Sequence, residues 1–192
     1  MKNSLLIVVL SIIALLSSNR LALTQDYTGS HKSLWAIDLW TGGGVGMNGP
    51  DKGSNVLLSG VRFSRTIWTG QNGGSLQYGI DVIPLFLMDQ ESKAFGFSAT
   101  PVLLRWNLNS ARPISPFIEF GAGVLFTNKE VPEKTSDVNF TPQAAAGVHI
   151  FTGKDAATTI SFRFMHISNA GMESPNPGVN TLQLSAGYTW FF

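Results

Sequence analysis

Near its C-terminus the chain reads FMHISNAGMESPNPGVN, with His166 and Ser168 two residues apart and Asn180 fourteen residues after the histidine. An imidazole, a hydroxyl and an amide are the base, nucleophile and orienting group of a serine hydrolase: the ring takes the hydroxyl proton as the oxygen attacks a carbonyl, and the third group holds the ring. A His-x-Ser pair is short and needs context before it means chemistry. Strand periodicity supplies that context, because successive strand side chains point to opposite faces. Ile160, Phe162 and Phe164 fall on one face here, Ser161 and Arg163 on the other. His166 and Ser168 share the parity of the phenylalanines, and Asn180 that of Leu182 and Leu184 in the next strand. Three polar side chains are thus expected together on a greasy face. Unpartnered, each would cost roughly 2–7 kcal/mol in hydrocarbon, so they are expected to satisfy one another.

The elements that carry them are strands. The chain has 192 residues, only 13% of them charged, with 20 Gly and 13 Phe. Soluble domains carry about 25% charged residues, so this surface suits lipid better than water. The N-terminus has Lys2 and an apolar run from Leu5 to Leu16, too short for the roughly 20 residues of a membrane-spanning helix and suited to a secretory signal. Residues 1–24 are therefore read as a signal peptide, with an uncleaved membrane anchor as the alternative, and 25–192 as one domain. Eight β-prone segments follow, at 34–46, 56–68, 75–86, 94–106, 116–126, 138–151, 157–168 and 180–192, separated by stretches rich in Gly, Asn, Asp, Ser or Pro. This predicts an all-β fold, an eight-stranded antiparallel transmembrane β-barrel. Asp38, Arg62, Asp81 and Glu119 fall within strands, where a polar lumen would pair them. A lipocalin-like soluble barrel would put charges outside, which the low charge content opposes. With both termini in the periplasm, the connection between the last two strands lies on the outer side, and His166, Ser168 and Asn180 with it.

The segment HISNAGMESPNPGVN resembles the lipid A 3-O-deacylases of the PagL type, eight-stranded outer-membrane enzymes that hydrolyse the ester-linked acyl chain at position 3 of lipid A. The aromatic ending YTWFF resembles the insertion signal of bacterial outer-membrane barrels. By that resemblance Ser168 is the nucleophile and His166 the general base, while Asn169 and the Gly171 backbone N–H are candidates for the oxyanion hole. The family's characterised members carry Glu at the position of Asn180. Asn as third member is similar to papain-like proteases and to outer-membrane phospholipase A. Members with Asn here are often labelled acyloxyacyl hydrolases. Glu173, in the intervening loop, is the other candidate acid. The resemblance implies an outer-membrane lipid A deacylase embedded in the membrane, with lipopolysaccharide as substrate. An outer-membrane phospholipase and an inactive structural barrel stay open as alternatives.

Other features absorb little. His31 and His149 lack metal-ligand spacing, and His149 has lumen parity. TGGGVG at 41–46 precedes no Lys-Ser/Thr and is no phosphate loop. Lys129 and Lys134 interleave with Glu130, Glu133 and Asp137, the pattern of a solvated loop. Neither cofactor nor metal is called for. The absence of Cys and the net charge of +1 exclude disulfides and give no reason to expect nucleic acid; a homodimer in the membrane is compatible with the sequence.

Overall fold

The structure, a computed structural model, describes residues 34–71, 73–108 and 113–192. The signal segment 1–24 and His31 lie outside the described residues. The strands are β1 (Trp35–Gly46), β2 (Asn55–Thr69), β3 (Ser75–Asp89), β4 (Ala94–Asn107), β5 (Ile114–Thr127), β6 (Val138–Phe140), β7 (Gln143–Phe151), β8 (Ala156–Ile167) and β9 (Val179–Phe191). Each pairs antiparallel with its neighbour, β9 returns to β1, and β4 pairs with β5, so the sheet closes. Closure leaves no edge, which a sheet in hydrocarbon requires.

Nine segments make eight staves. β6 and β7 both pair with β5, through Val124↔Phe140 and Gly121↔Gln143, and are two pieces of the single strand expected over 138–151. Pro142 interrupts it because proline has no N–H for the ladder. Its carbonyl is not wasted: it accepts a hydrogen bond from His166 N at 2.9 Å. The predicted alternation holds across the wall. Phe162 (61% exposed), Phe120, Phe97 and Trp190 face outward, and Arg163, Gln183 and Thr189 are buried within.

Inside, charge alternates from stave to stave. Asp38 pairs in register with Arg62, Arg62 with Asp81, and Arg105 with Glu119. Arg62 reaches Glu119 at 2.6 Å and Asp81 at 2.8 Å; Arg105 reaches Glu119 at 3.0 Å and Asp38 at 3.1 Å. Arg163 lies 3.7 Å from Asp81 and 4.2 Å from the centre of the Trp40 ring. Arg105 joins Arg163 and the four charges expected in the lumen, so three cations offset three anions. The gap lined by Asp38, Trp40, Arg62 and Arg163 measures about 20 Å³, room for about one water. His149 is buried as its parity predicts, with Nδ1 at 2.7 Å from Thr159 Oγ1 and Nε2 at 3.3 Å from Arg105.

Toward the end of the barrel opposite the termini, the interior turns apolar. Trp40, Leu58, Phe86, Leu125, Met165, Ile167 and Val179 form one cluster, and Val131 from the β5–β6 connection drops into it, fully buried. Asp51 of the β1–β2 connection accepts a hydrogen bond from Glu133 N at 3.1 Å, and the Glu133 carboxylate accepts one from Ser92 N. Three connections are thus tied over that mouth. Burial of Asp51 raises its carboxyl above the usual carboxylate range.

Candidate active site

At the far end of β8 the polarity of the wall reverses. Met165 and Ile167 point into the apolar plug, fully buried, so His166 and Ser168 between and after them must point outward. On β9 the fully buried Val179 and Thr181 bracket Asn180 in the same way. The sequence places polar side chains outside here because the inside has become greasy.

Register then joins two of them. His166 and Asn180 are direct cross-strand partners. Their backbone groups bond away from each other: His166 N donates to Pro142 O, Asn180 N to Asn48 Oδ1 at 2.6 Å, and Asn180 O accepts from Met47 N at 2.7 Å. This marks a non-hydrogen-bonded pair, in which facing side chains come closer than in the alternate type. His166 Nδ1 accordingly lies 2.7 Å from Asn180 Oδ1. With the amide oxygen toward the ring, this contact is a hydrogen bond in the tautomer that carries its proton on Nδ1, which leaves Nε2 free to accept one. A one-residue slip would put the two on opposite faces.

Ser168 follows β8 directly and is half-buried beside Phe140, with Phe140 N donating to Ser168 O at 2.8 Å and Ser168 N to Phe140 O at 3.2 Å. Two residues on from His166, it lies on the same outward side. Among the described residues its hydroxyl makes no hydrogen bond. The expected mutual satisfaction is therefore met by His166 and Asn180 and not by Ser168, whose backbone is held by Phe140.

The following turn is tightly made. Ala170 and Gly171 both have positive φ, 55° and 81°, and Met172 N donates to Asn169 O at 3.1 Å, a type I′ turn. Asn169 is buried; its Oδ1 accepts from Gly171 N at 2.9 Å and its Nδ2 donates to Glu173 O at 3.1 Å. Both donors expected at an oxyanion are engaged within this turn. The Glu173 side chain is exposed and lines an open groove with Lys129, Lys134 and Asp137; the residue bonded to the imidazole is Asn180.

Two contributors escaped the sequence reading. Gly178 has φ +59° and lies under the imidazole: a Cβ there would stand 2.8 Å from His166 Cε1 and 3.2 Å from Nε2. Pro177-Gly178 reads as a turn, but not as a platform for a ring. Asn48 is 132 residues from the strand it touches, and no local pattern reports such a contact.

Comparison with known proteins bears on what this wall is for. The family model for lipid A 3-O-deacylase (PagL) matches residues 26–189. The chain belongs to that family. A lipid A deacylase PagL of Pseudomonas aeruginosa is 26% identical over 122 residues, 62% of this chain and 57% of that relative, so the match spans little more than half of the relative's length. The crystal structure of the outer membrane enzyme PagL superposes with a TM-score of 0.66 at 20% identity, covering 78% of this chain and 97% of that one. Neisserial surface protein A superposes with a TM-score of 0.57 at 11% identity, covering 82% and 97%. At such identities these superpositions speak to the barrel alone. Membership in the deacylase family rests on the sequence match.

Proposed function

We propose that this protein is an outer-membrane lipid A deacylase that hydrolyses the 3-O-linked acyl chain in the outer leaflet, with Ser168 as nucleophile, His166 as general base and Asn180 as orienting residue. The observation that carries the reading is the 2.7 Å contact of His166 Nδ1 with Asn180 Oδ1 on the outward wall, within a chain of the deacylase family. An imidazole held there faces the acyl region of a lipid, and exposed Phe140, Phe164 and Leu182 offer apolar surface beside it.

Ser168 Oγ attacks the ester carbonyl while His166 Nε2 accepts its proton, and Asn180 fixes the ring and its tautomer. The tetrahedral oxyanion draws the Gly171 N–H from Asn169 Oδ1, since a charged acceptor makes a hydrogen bond about twice as strong as a neutral one. The Asn169 amide supplies a second donor by giving up Glu173 O. His166 then protonates the departing sugar hydroxyl, and water repeats the cycle on the acyl-enzyme. An Asn third member supplies orientation without a full negative charge, so turnover rests on placement of the ring.

Asn180 also supports a second reading, hydrolysis of glycerophospholipid in the same leaflet. Purified protein in detergent micelles, offered lipid A and a glycerophospholipid separately, tests both through the fatty acid released. Release from lipid A is the expected result. Release from the glycerophospholipid alone overturns the substrate assignment, and release from neither by a folded barrel leaves a structural protein.

A further inference from the structure

Asn180 sits where β9 runs past the end of its neighbour. β1 pairs with β9 only as far as Gly46↔Thr181, after which the chain turns into the β1–β2 connection. The Asn180 N–H and C=O point toward that side, because the ring-bearing His166 opposite belongs to a non-hydrogen-bonded pair. Without a partner there, the backbone that carries the orienting amide would be free at its outer edge. The connection supplies one. Met47 N donates to Asn180 O at 2.7 Å, and the Asn48 side chain accepts Asn180 N–H at 2.6 Å. Gly49, at φ +72°, packs so closely that a Cβ would stand 2.7 Å from Gly178 O, next to the ring's platform.

We infer that Asn48 is a positioning residue for this site: its amide oxygen replaces the missing strand partner and holds Asn180, and through it the His166 ring, in the reactive placement. The inference rests on the proposed roles of His166, Ser168 and Asn180. Asn48 itself is exposed, and the connection has internal anchors independent of its side chain: Gly46 N to Ser54 O at 2.9 Å, Gly53 N to Gly46 O at 2.8 Å, and Asp51 to Glu133 N at 3.1 Å. Removing the Asn48 amide therefore removes one hydrogen bond and leaves the connection in place. Displacing a catalytic group by about 1 Å costs up to about 100-fold in rate, so loss of one of two backbone anchors is expected to cost about 10-fold.

The test compares wild type, Asn48→Ala, Asn48→Asp and Ser168→Ala as folded protein in detergent, with kcat and KM for fatty acid release from lipid A measured for each. Asn48→Ala is expected to lower kcat about 10-fold with KM within about twofold. Asn48→Asp retains an oxygen acceptor for the same N–H and should restore kcat. Asn48→Gln, which keeps the amide but moves its oxygen by one methylene, should lose activity as alanine does, and serves as the probe if Asn48→Ala does not fold. Wild-type kcat in whichever of these two is read, alongside an inactive Ser168→Ala, would overturn the role of Asn48. Activity in Ser168→Ala would instead remove the site reading on which it stands.

Discussion

At the scale of single residues, the site depends on a local exception. Along most of the wall apolar side chains point out and polar ones in; from Met165 to Ser168 the order inverts, with Met165 and Ile167 buried in the plug and His166 and Ser168 outside. With His166 and Asn180 both half-buried, the ring's partner counts for more than it would in free solution. Asn180→Ala should lower fatty acid release by about 100-fold through misplacement of the ring, less than the loss in Ser168→Ala or His166→Ala, which should exceed about 10,000-fold. Asn180→Glu should match or exceed wild type, because a carboxylate also stabilises the imidazolium. Equal losses in the Ser168, His166 and Asn180 alanine variants would give Asn180 more than an orienting part. The three residues were legible in the sequence because parity alone put them on one face. The engagement of Gly171 N–H by Asn169 Oδ1 was not, since it depends on the positive φ values of Ala170 and Gly171.

At the scale of elements, the β8–β9 ladder and the 168–178 connection hold the geometry. Gly178 has two reasons to be glycine: its φ of +59° and the 2.8 Å separation of a hypothetical Cβ from His166 Cε1. Gly178→Ala should cost about 1–2 kcal/mol in backbone strain, leave a folded barrel, and reduce kcat more than it raises KM because it tilts the ring. Unchanged kinetics in a folded Gly178→Ala protein would show that the ring does not need that platform. Strand positions were largely readable from alternation and turn residues. The break at Thr141–Pro142 was not, because the β-prone run 138–151 continues through it, and β5 stays paired on both sides of the break. Neither was the clamp from the β1–β2 connection, which joins residues brought together only when the sheet closes.

At the scale of the molecule, closure separates two environments, a greasy outer wall that carries the candidate site and an interior of paired charges. Arg62 contacts Glu119, Asp81 and Asp38 at 2.6, 2.8 and 3.6 Å. Arg62→Ala would leave buried carboxylates without their shared cation, a change that costs about 3–5 kcal/mol. Urea unfolding in detergent should show that loss, and an unchanged midpoint would mean the interior tolerates the missing charge. Among the described residues the interior is occupied by paired charges and an apolar cluster. On the outer surface, Ser168 is proposed to cleave an ester of lipid A. The most direct test is to produce the protein and its Ser168→Ala variant in a bacterial outer membrane and weigh the extracted lipid A. The expected result is lipid A lighter by one 3-O-linked acyl chain with the wild type and unmodified with the variant. Equally shortened lipid A in both, or full-length lipid A in both with each barrel folded in the membrane, would contradict it.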